Sequence, residues 1–179
     1  TWTTLKPAEL KAESGATFKD LGDGSYLVEG EKSARDAYEL TFRTGPGRVK
    51  AFKLEALTHE SLAGNGPGRS DNGNFVLSEF QVSAAPLTDP ARRQSVRLAD
   101  SFADFSQKDY PISNAIDGKT ESGWAIEGQT RHENRLAIIL PESPVGYPGG
   151  AEIKVTLRFA SVFAAHAIGR VRLSVATEG

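Results

Sequence analysis

A chain of 179 residues with a formal net charge of −2 and no cysteine is long enough for one well-buried core. The charge leaves no electrostatic footprint for nucleic acid or an anionic membrane; no apolar run is long enough to span a bilayer, and no signal-peptide pattern is present. Absence of cysteine excludes disulfides, thiolate catalysis and Cys-ligated zinc. Because Met is missing throughout, from the first position onward, the expectation is a domain excised from a longer protein.

Taken in chain order, strand signals dominate. Trp2 lies near a terminus and is expected to cover a sandwich edge. "SYLVEG", "AYELTFR" and "VKAFKLEAL" are short apolar-rich runs separated by Gly, Pro, Asp and Asn. Residues 64–74, "GNGPGRSDNGN", are too long and too glycine-rich for a hairpin turn, and long loops seated on sheets are where binding usually lives. Four glycines let this backbone turn tightly, while Asn65, Arg69, Asp71, Asn72 and Asn74 supply hydrogen-bonding groups. The loop runs directly into "FVLSEFQV", in which apolar and polar residues nearly alternate. "SVRLA" follows, then "RLAIIL", whose weak alternation predicts burial on both faces. In residues 153–159, Ile153, Val155, Leu157 and Phe159 share one face and Lys154, Thr156 and Arg158 the other, which predicts a half-exposed antiparallel strand. Val171, Leu173 and Val175 repeat that pattern. Only "DPARRQ" and parts of "GEKSARDAYEL" could pass for helix. So many half-apolar strands are buried most simply as two antiparallel sheets packed face to face. The fold class is therefore all-β, a jelly-roll-like β-sandwich, with residues 1–179 as one domain.

"SNAIDGKTESGWA", residues 113–125, is the main candidate for chemistry. Asp117-Gly118 marks a tight turn, Thr120 adds a hydroxyl and a carbonyl, and Trp124 anchors the end. A hard cation such as Ca²⁺ gathers six to eight oxygens, many of them backbone carbonyls, and a compact turn with one carboxylate can contribute. A plain turn fits the same residues. His59, His132 and His166 lack ligand spacing. No nucleophile elbow or phosphate-binding glycine loop is present, and nothing fixes a spacing between carboxylates such as Glu127 and Glu133 that glycoside hydrolysis would need. The reading is non-enzymatic.

"NAIDGKTESGWA" resembles the Ala-(Val/Ile)-Asp-Gly…Thr…Trp signature of discoidin-type (coagulation factor 5/8 C-terminal) domains and related galactose-binding-like sandwiches. "NGNFVLSEFQV" is similar to their closing strand, which carries a Leu-Ser-Glu run. The resemblance implies a structural Ca²⁺ held by the side chains of Asp117, Thr120 and Glu79, with backbone oxygens near Ala115 and Lys119. Here the two motifs stand in reversed, permuted order. A narrower resemblance covers nearly the whole chain: "W-x-x-L-x-P", "DGSYLVEG", "DAYELTF", the two motifs and "HAIGRVRLSV" resemble a module of large exported planctomycete and verrucomicrobial proteins that also carry cytochrome c-like domains. In those proteins the motif order is the one seen here. This implies an extracytoplasmic location, periplasmic or secreted, with other domains of the parent protein as neighbours.

Two functions follow as expectations. One is a non-catalytic carbohydrate-binding module that tethers a larger protein to polysaccharide or oligosaccharide. The alternative is a structural or protein-interaction domain packed against its neighbours. The ligand surface is expected on the loops carrying Trp124, Glu127, Arg131 and His132, near Asn65 and Arg69, where polar groups able to grip hydroxyls concentrate. Trp124 reads either as a stacking face for a sugar ring or as a core anchor. Tyr110 and Tyr147, in Pro- and Gly-rich loops, are further candidates for exposed platforms.

Overall fold

Strand periodicity sets the architecture, which a computed structural model describes for residues 1–178. Fourteen strands, numbered in chain order, form two main antiparallel sheets and one small two-stranded ladder. The first sheet runs β10 (Leu98–Ala103), β12 (Arg135–Pro141), β6 (Val49–Ala56), β14 (Arg170–Thr177), β4 (Tyr26–Glu29) and β3 (Thr17–Asp20), with β1 (Thr3–Thr4) added against β14. The second runs β2 (Glu9–Ala12), β5 (Asp36–Thr44), β13 (Ala151–Phe159), β8 (Glu79–Pro86) and β9 (Gln94–Val96). The ladder pairs β7 (Val76–Leu77) with β11 (Trp124–Ala125). The protein is thus an all-β sandwich of jelly-roll type.

The core lies between the two inner faces. Ile153, Val155, Leu157 and Phe159 of β13 and Tyr38, Leu40 and Phe42 of β5 meet Phe52 and Leu54 of β6 and Leu173 of β14. Phe52 and Phe80 close the gap with ring centroids 5.9 Å apart. Each such side chain contributes roughly 1.5–3 kcal/mol when taken from water to full burial. Tyr38 is fully buried because its hydroxyl has a partner: it donates to the Ile168 carbonyl at 2.8 Å.

Several sequence expectations are corrected. "RLAIIL" alternates after all: Leu136, Ile138 and Leu140 on the outer face of β12 are only half-buried, and the adjacent Phe102 of β10 stays 54% exposed. "DPARRQ" forms only a 3₁₀ turn at Pro90–Arg92. "GEKSARDAYEL" gives way to β5 from Asp36, whose carboxylate accepts the Ser14 N–H and hydroxyl rather than capping a helix. Trp2 lies over Lys53 of the central strand β6, the ammonium 5.2 Å from its ring centroid, so it covers sheet face rather than edge.

The glycine-rich loop is built into the body of the domain rather than solvated throughout, residues 66–70 being buried. Gly68 donates to the Gly73 carbonyl at 2.9 Å, and a Cβ at Gly68 would collide with the Asn74 carbonyl. Side-chain and backbone bonds then knit this loop and the strand after it to three other segments. Asn74 accepts the Ile126 N–H, Gln107 accepts the Glu127 N–H, and the Val76 N–H reaches the His166 carbonyl. The functional candidates gather where those loops meet.

Candidate functional site

Two constellations stand out, a buried carboxylate pair and an aromatic recess. The first unites the motif residues across the chain. Glu79 opens β8 and is buried, while Asp117 ends the 3₁₀ turn Ile112–Ile116 and is exposed. Asp117 caps its own turn: Oδ1 accepts the Lys119 N–H at 2.8 Å and Oδ2 the Ser122 hydroxyl at 2.6 Å. It also meets Glu79, whose carboxyl is pushed up to about 8, chiefly by burial and then by the Asp117 carboxyl beside it; the N–H groups of Gly118 and Lys119 oppose the rise. Burial raises Asp117 as well, but the hydrogen bonds from Ser122, Lys119 and Glu79 outweigh it, so its carboxyl sits below the usual value. A proton shared by the pair therefore favours Glu79 over Asp117. Its Oε1 is buried without a protein partner, an orphan of the kind that calls for a ligand.

The remaining implied ligands are close in sequence to that pair. Thr120 and Lys119 sit exposed on the turn, and Ala115 is fully buried in the preceding 3₁₀ turn. Among the described residues no group of three or more His, Cys, Asp or Glu side chains converges. The available set is two carboxylates plus turn carbonyls, all hard oxygen donors of the kind Ca²⁺ prefers.

The expected sugar-contacting residues divide. Trp124 is fully buried, donates its indole N–H to the Phe105 carbonyl at 3.0 Å and packs edge-on against Phe75. Arg69 is buried as well, its guanidinium donating to the Gly30 carbonyl at 2.7 Å. Of the two readings of Trp124 the structure shows the core anchor, not the stacking face, and the expected ligand contact of Arg69 is corrected: it is a loop clamp. Glu127 is half-buried, takes a left-handed backbone conformation (φ 54°) and pairs with exposed Arg131 at 3.3 Å. Arg131 and Arg135 lie 4.4 and 4.8 Å from the Phe105 centroid. His132 is exposed, with its ring covering Gly64, and neighbouring Asn65 is exposed too.

The second constellation was only half legible. Tyr110, one of the expected platforms, stands with Phe163 and His166 in an aromatic row, ring centroids 6.5 and 5.6 Å apart. Phe163 is 46% exposed. These rings open onto a recess of about 140 Å³ whose polar lining is Asn72, Asn74, Gln107 and Gln129. A signal for Phe163 does exist: Val162 and Phe163 are apolar residues placed in a loop between two strands. Tyr147 is half-buried against the core and lines a more open groove of about 320 Å³ beside β9. His59 is engaged locally with Ser61.

No protein-family model matches the chain, and no curated protein matches it. Among solved structures, one described by the promiscuous specificity of carbohydrate-binding modules of the β-sandwich superfamily aligns with TM-score 0.38 at 10% identity, covering 99% of this chain and 57% of that one. An arabinose-bound α-L-arabinofuranosidase aligns at 0.34 and 11%, covering 98% of this chain and 22% of that one. A low-affinity xylan-binding module from the gut symbiont Roseburia intestinalis aligns at 0.24 and 13%, covering 88% and 94%. This chain thus spans little more than half of the first structure and under a quarter of the second. Likenesses at these scores assign neither ligand nor site residues.

Proposed function

We propose that this domain is a non-catalytic carbohydrate-binding module that tethers a larger exported protein to polysaccharide. The observation that carries the reading is the loop-end recess, where Tyr110, Phe163 and His166 meet side-chain amides. Aromatic rings suit the C–H faces of sugars, and neutral amides suit hydroxyls. Carboxylates at this end are committed elsewhere: Glu127 pairs with Arg131 and Glu133 with Arg135, which supports binding rather than hydrolysis. The alternative, packing against a neighbouring domain, draws support from the exposed Phe102 ring on the outer face of β10, beside half-buried Ile138.

A structural Ca²⁺ belongs to the same proposal. Glu79 and Asp117 would hold it, with the hydroxyl and carbonyl of Thr120 and the carbonyls of Ala115 and Lys119 as the nearby oxygens. The buried, unpartnered Oε1 of Glu79 is the atom that fits such a cation. Bound there, the ion would tie β8 to the Asp117 turn.

Affinity electrophoresis through gels containing neutral and acidic polysaccharides tests the main reading. Retardation by at least one polymer is expected, with Phe163→Ala running at the unretarded position. Uniform failure across the polymers would shift the assignment to the domain-packing alternative.

A further inference from the structure

The hydrogen-bond polarity of the loop-end recess is fixed by the protein itself, and it selects a ligand. Gln107 Oε1 already accepts two donors, the Asn74 amide at 3.0 Å and the Glu127 N–H at 2.9 Å. Asn72 Oδ1 likewise accepts the Ser70 hydroxyl at 2.6 Å and the Asn74 N–H at 2.9 Å. With both carbonyl oxygens engaged, neither amide can flip without losing two bonds. Their NH₂ groups are left without a protein acceptor among the described residues and are therefore oriented donors. His166 is fixed in the same way: Nδ1 lies 2.9 Å from the Ala164 carbonyl, which can only accept. The ring proton therefore sits on Nδ1 and leaves Nε2 as an acceptor in the neutral imidazole.

Charge and size narrow the choice. No Asp, Glu, Lys or Arg lines the recess, so an ionised ligand would be desolvated there without a counter-charge. Its volume of about 140 Å³ is well under the roughly 300 Å³ at which pockets begin to enclose drug-sized molecules. The two grooves beside β9 are larger, at about 390 and 320 Å³. The loops that build the recess are held together by the bonds among Asn74, Gln107, Ile126 and Glu127, and they pack so closely that a Cβ on Gly128 would collide with the Gly73 carbonyl.

We infer that the recess takes a single neutral sugar unit at the end of a chain or branch, gripped through its oxygen lone pairs by the NH₂ groups of Asn72 and Gln107, with one hydroxyl donating to His166. Tyr110 and Phe163 cover the C–H face of that unit. This inference rests on the carbohydrate-binding reading above and adds its ligand class.

Calorimetric titration with neutral oligosaccharides of increasing length, and with oligogalacturonates, tests it. Affinity for a neutral series should level off after one or two units, and the uronates should bind at least tenfold more weakly. Gln107→Glu and Asn72→Asp each keep the engaged oxygen and replace the NH₂ donor with a negative oxygen. Each should weaken neutral-sugar binding at least tenfold while the melting temperature stays near that of the parent. Asn72 is exposed, so its substitution remains informative should Gln107→Glu fail to fold. Affinity climbing with every added unit, uronates binding as well as neutral sugars, or parental binding by folded variants would each overturn the inference while leaving carbohydrate binding in place. Silence with every saccharide would overturn both.

Discussion

Trp124→Ala should lower the unfolding free energy by about 3–5 kcal/mol, the usual cost of deleting a fully buried large aromatic, read from urea denaturation. The side chain is fully buried, touches Phe75 edge-on and satisfies its indole N–H on the Phe105 carbonyl. Its removal therefore leaves a cavity under the Asp117 turn and breaks a bond that pins the 104–107 segment. Trp124→Phe should recover part of the loss through packing, though not the hydrogen bond. The competing role, a sugar-stacking platform, predicts the opposite pattern: glycan retention abolished with the denaturation midpoint unchanged. That outcome would contradict the position of Trp124 in the core.

Calcium and protons should compete at Glu79 with opposite dependences on pH. In metal-free protein the Glu79 carboxyl is raised from 4.5 to about 8, so between those values the folded state binds more protons than the unfolded one. Stability contributed by that proton is complete below about pH 4.5 and falls as pH rises through about 8. Chelated protein should thus lose melting temperature steadily across this window. Added Ca²⁺ should restore it, increasingly so at higher pH, reaching about 2.7 kcal/mol at a hundredfold excess over the dissociation constant. Glu79→Gln should flatten the pH dependence and remove the calcium response, and Asp117→Ala should remove the calcium response as well. If chelator leaves the melting curve at pH 8 unmoved while the pH slope persists, the pair holds a proton and the cation assignment falls.

How far the fold could be read depended on whether a residue's surroundings are local. In β13 the alternation of Ile153, Val155, Leu157 and Phe159 against Lys154, Thr156 and Arg158 translates directly into buried and half-buried positions. Period two is a backbone property, so the sequence carries it. The same logic gives Val171, Leu173 and Val175 of β14 but misses burial of Ser174, which Thr4 of β1 covers through a hydroxyl contact at 3.2 Å. A cover supplied from some 170 residues away leaves no local pattern.

The site divides along the same line. Glu79 and Asp117 were legible as a pair because each sits in a recognisable motif, and the Asp117 carboxyl lies near enough to help raise that of Glu79. Arg69 was misread because an arginine among glycines reads as exposed, whereas its acceptor is the Gly30 carbonyl on a distant loop. Phe163 and His166 complete the recess only because the loop after β13 folds back against Tyr110 and Val76. That closure is tertiary, and no spacing in the sequence announces it.

Backbone and side-chain NMR shifts, followed on titrating the labelled domain with whichever oligosaccharide it retains, locate the binding surface directly. The largest changes are expected on the Gln107 and Asn72 NH₂ signals, the Gln129 amide and the Tyr110 and Phe163 rings, with the outer sheet faces silent. Changes confined to the face around Phe102 and Ile138, or to the groove beside β9, would contradict binding at the loop-end recess.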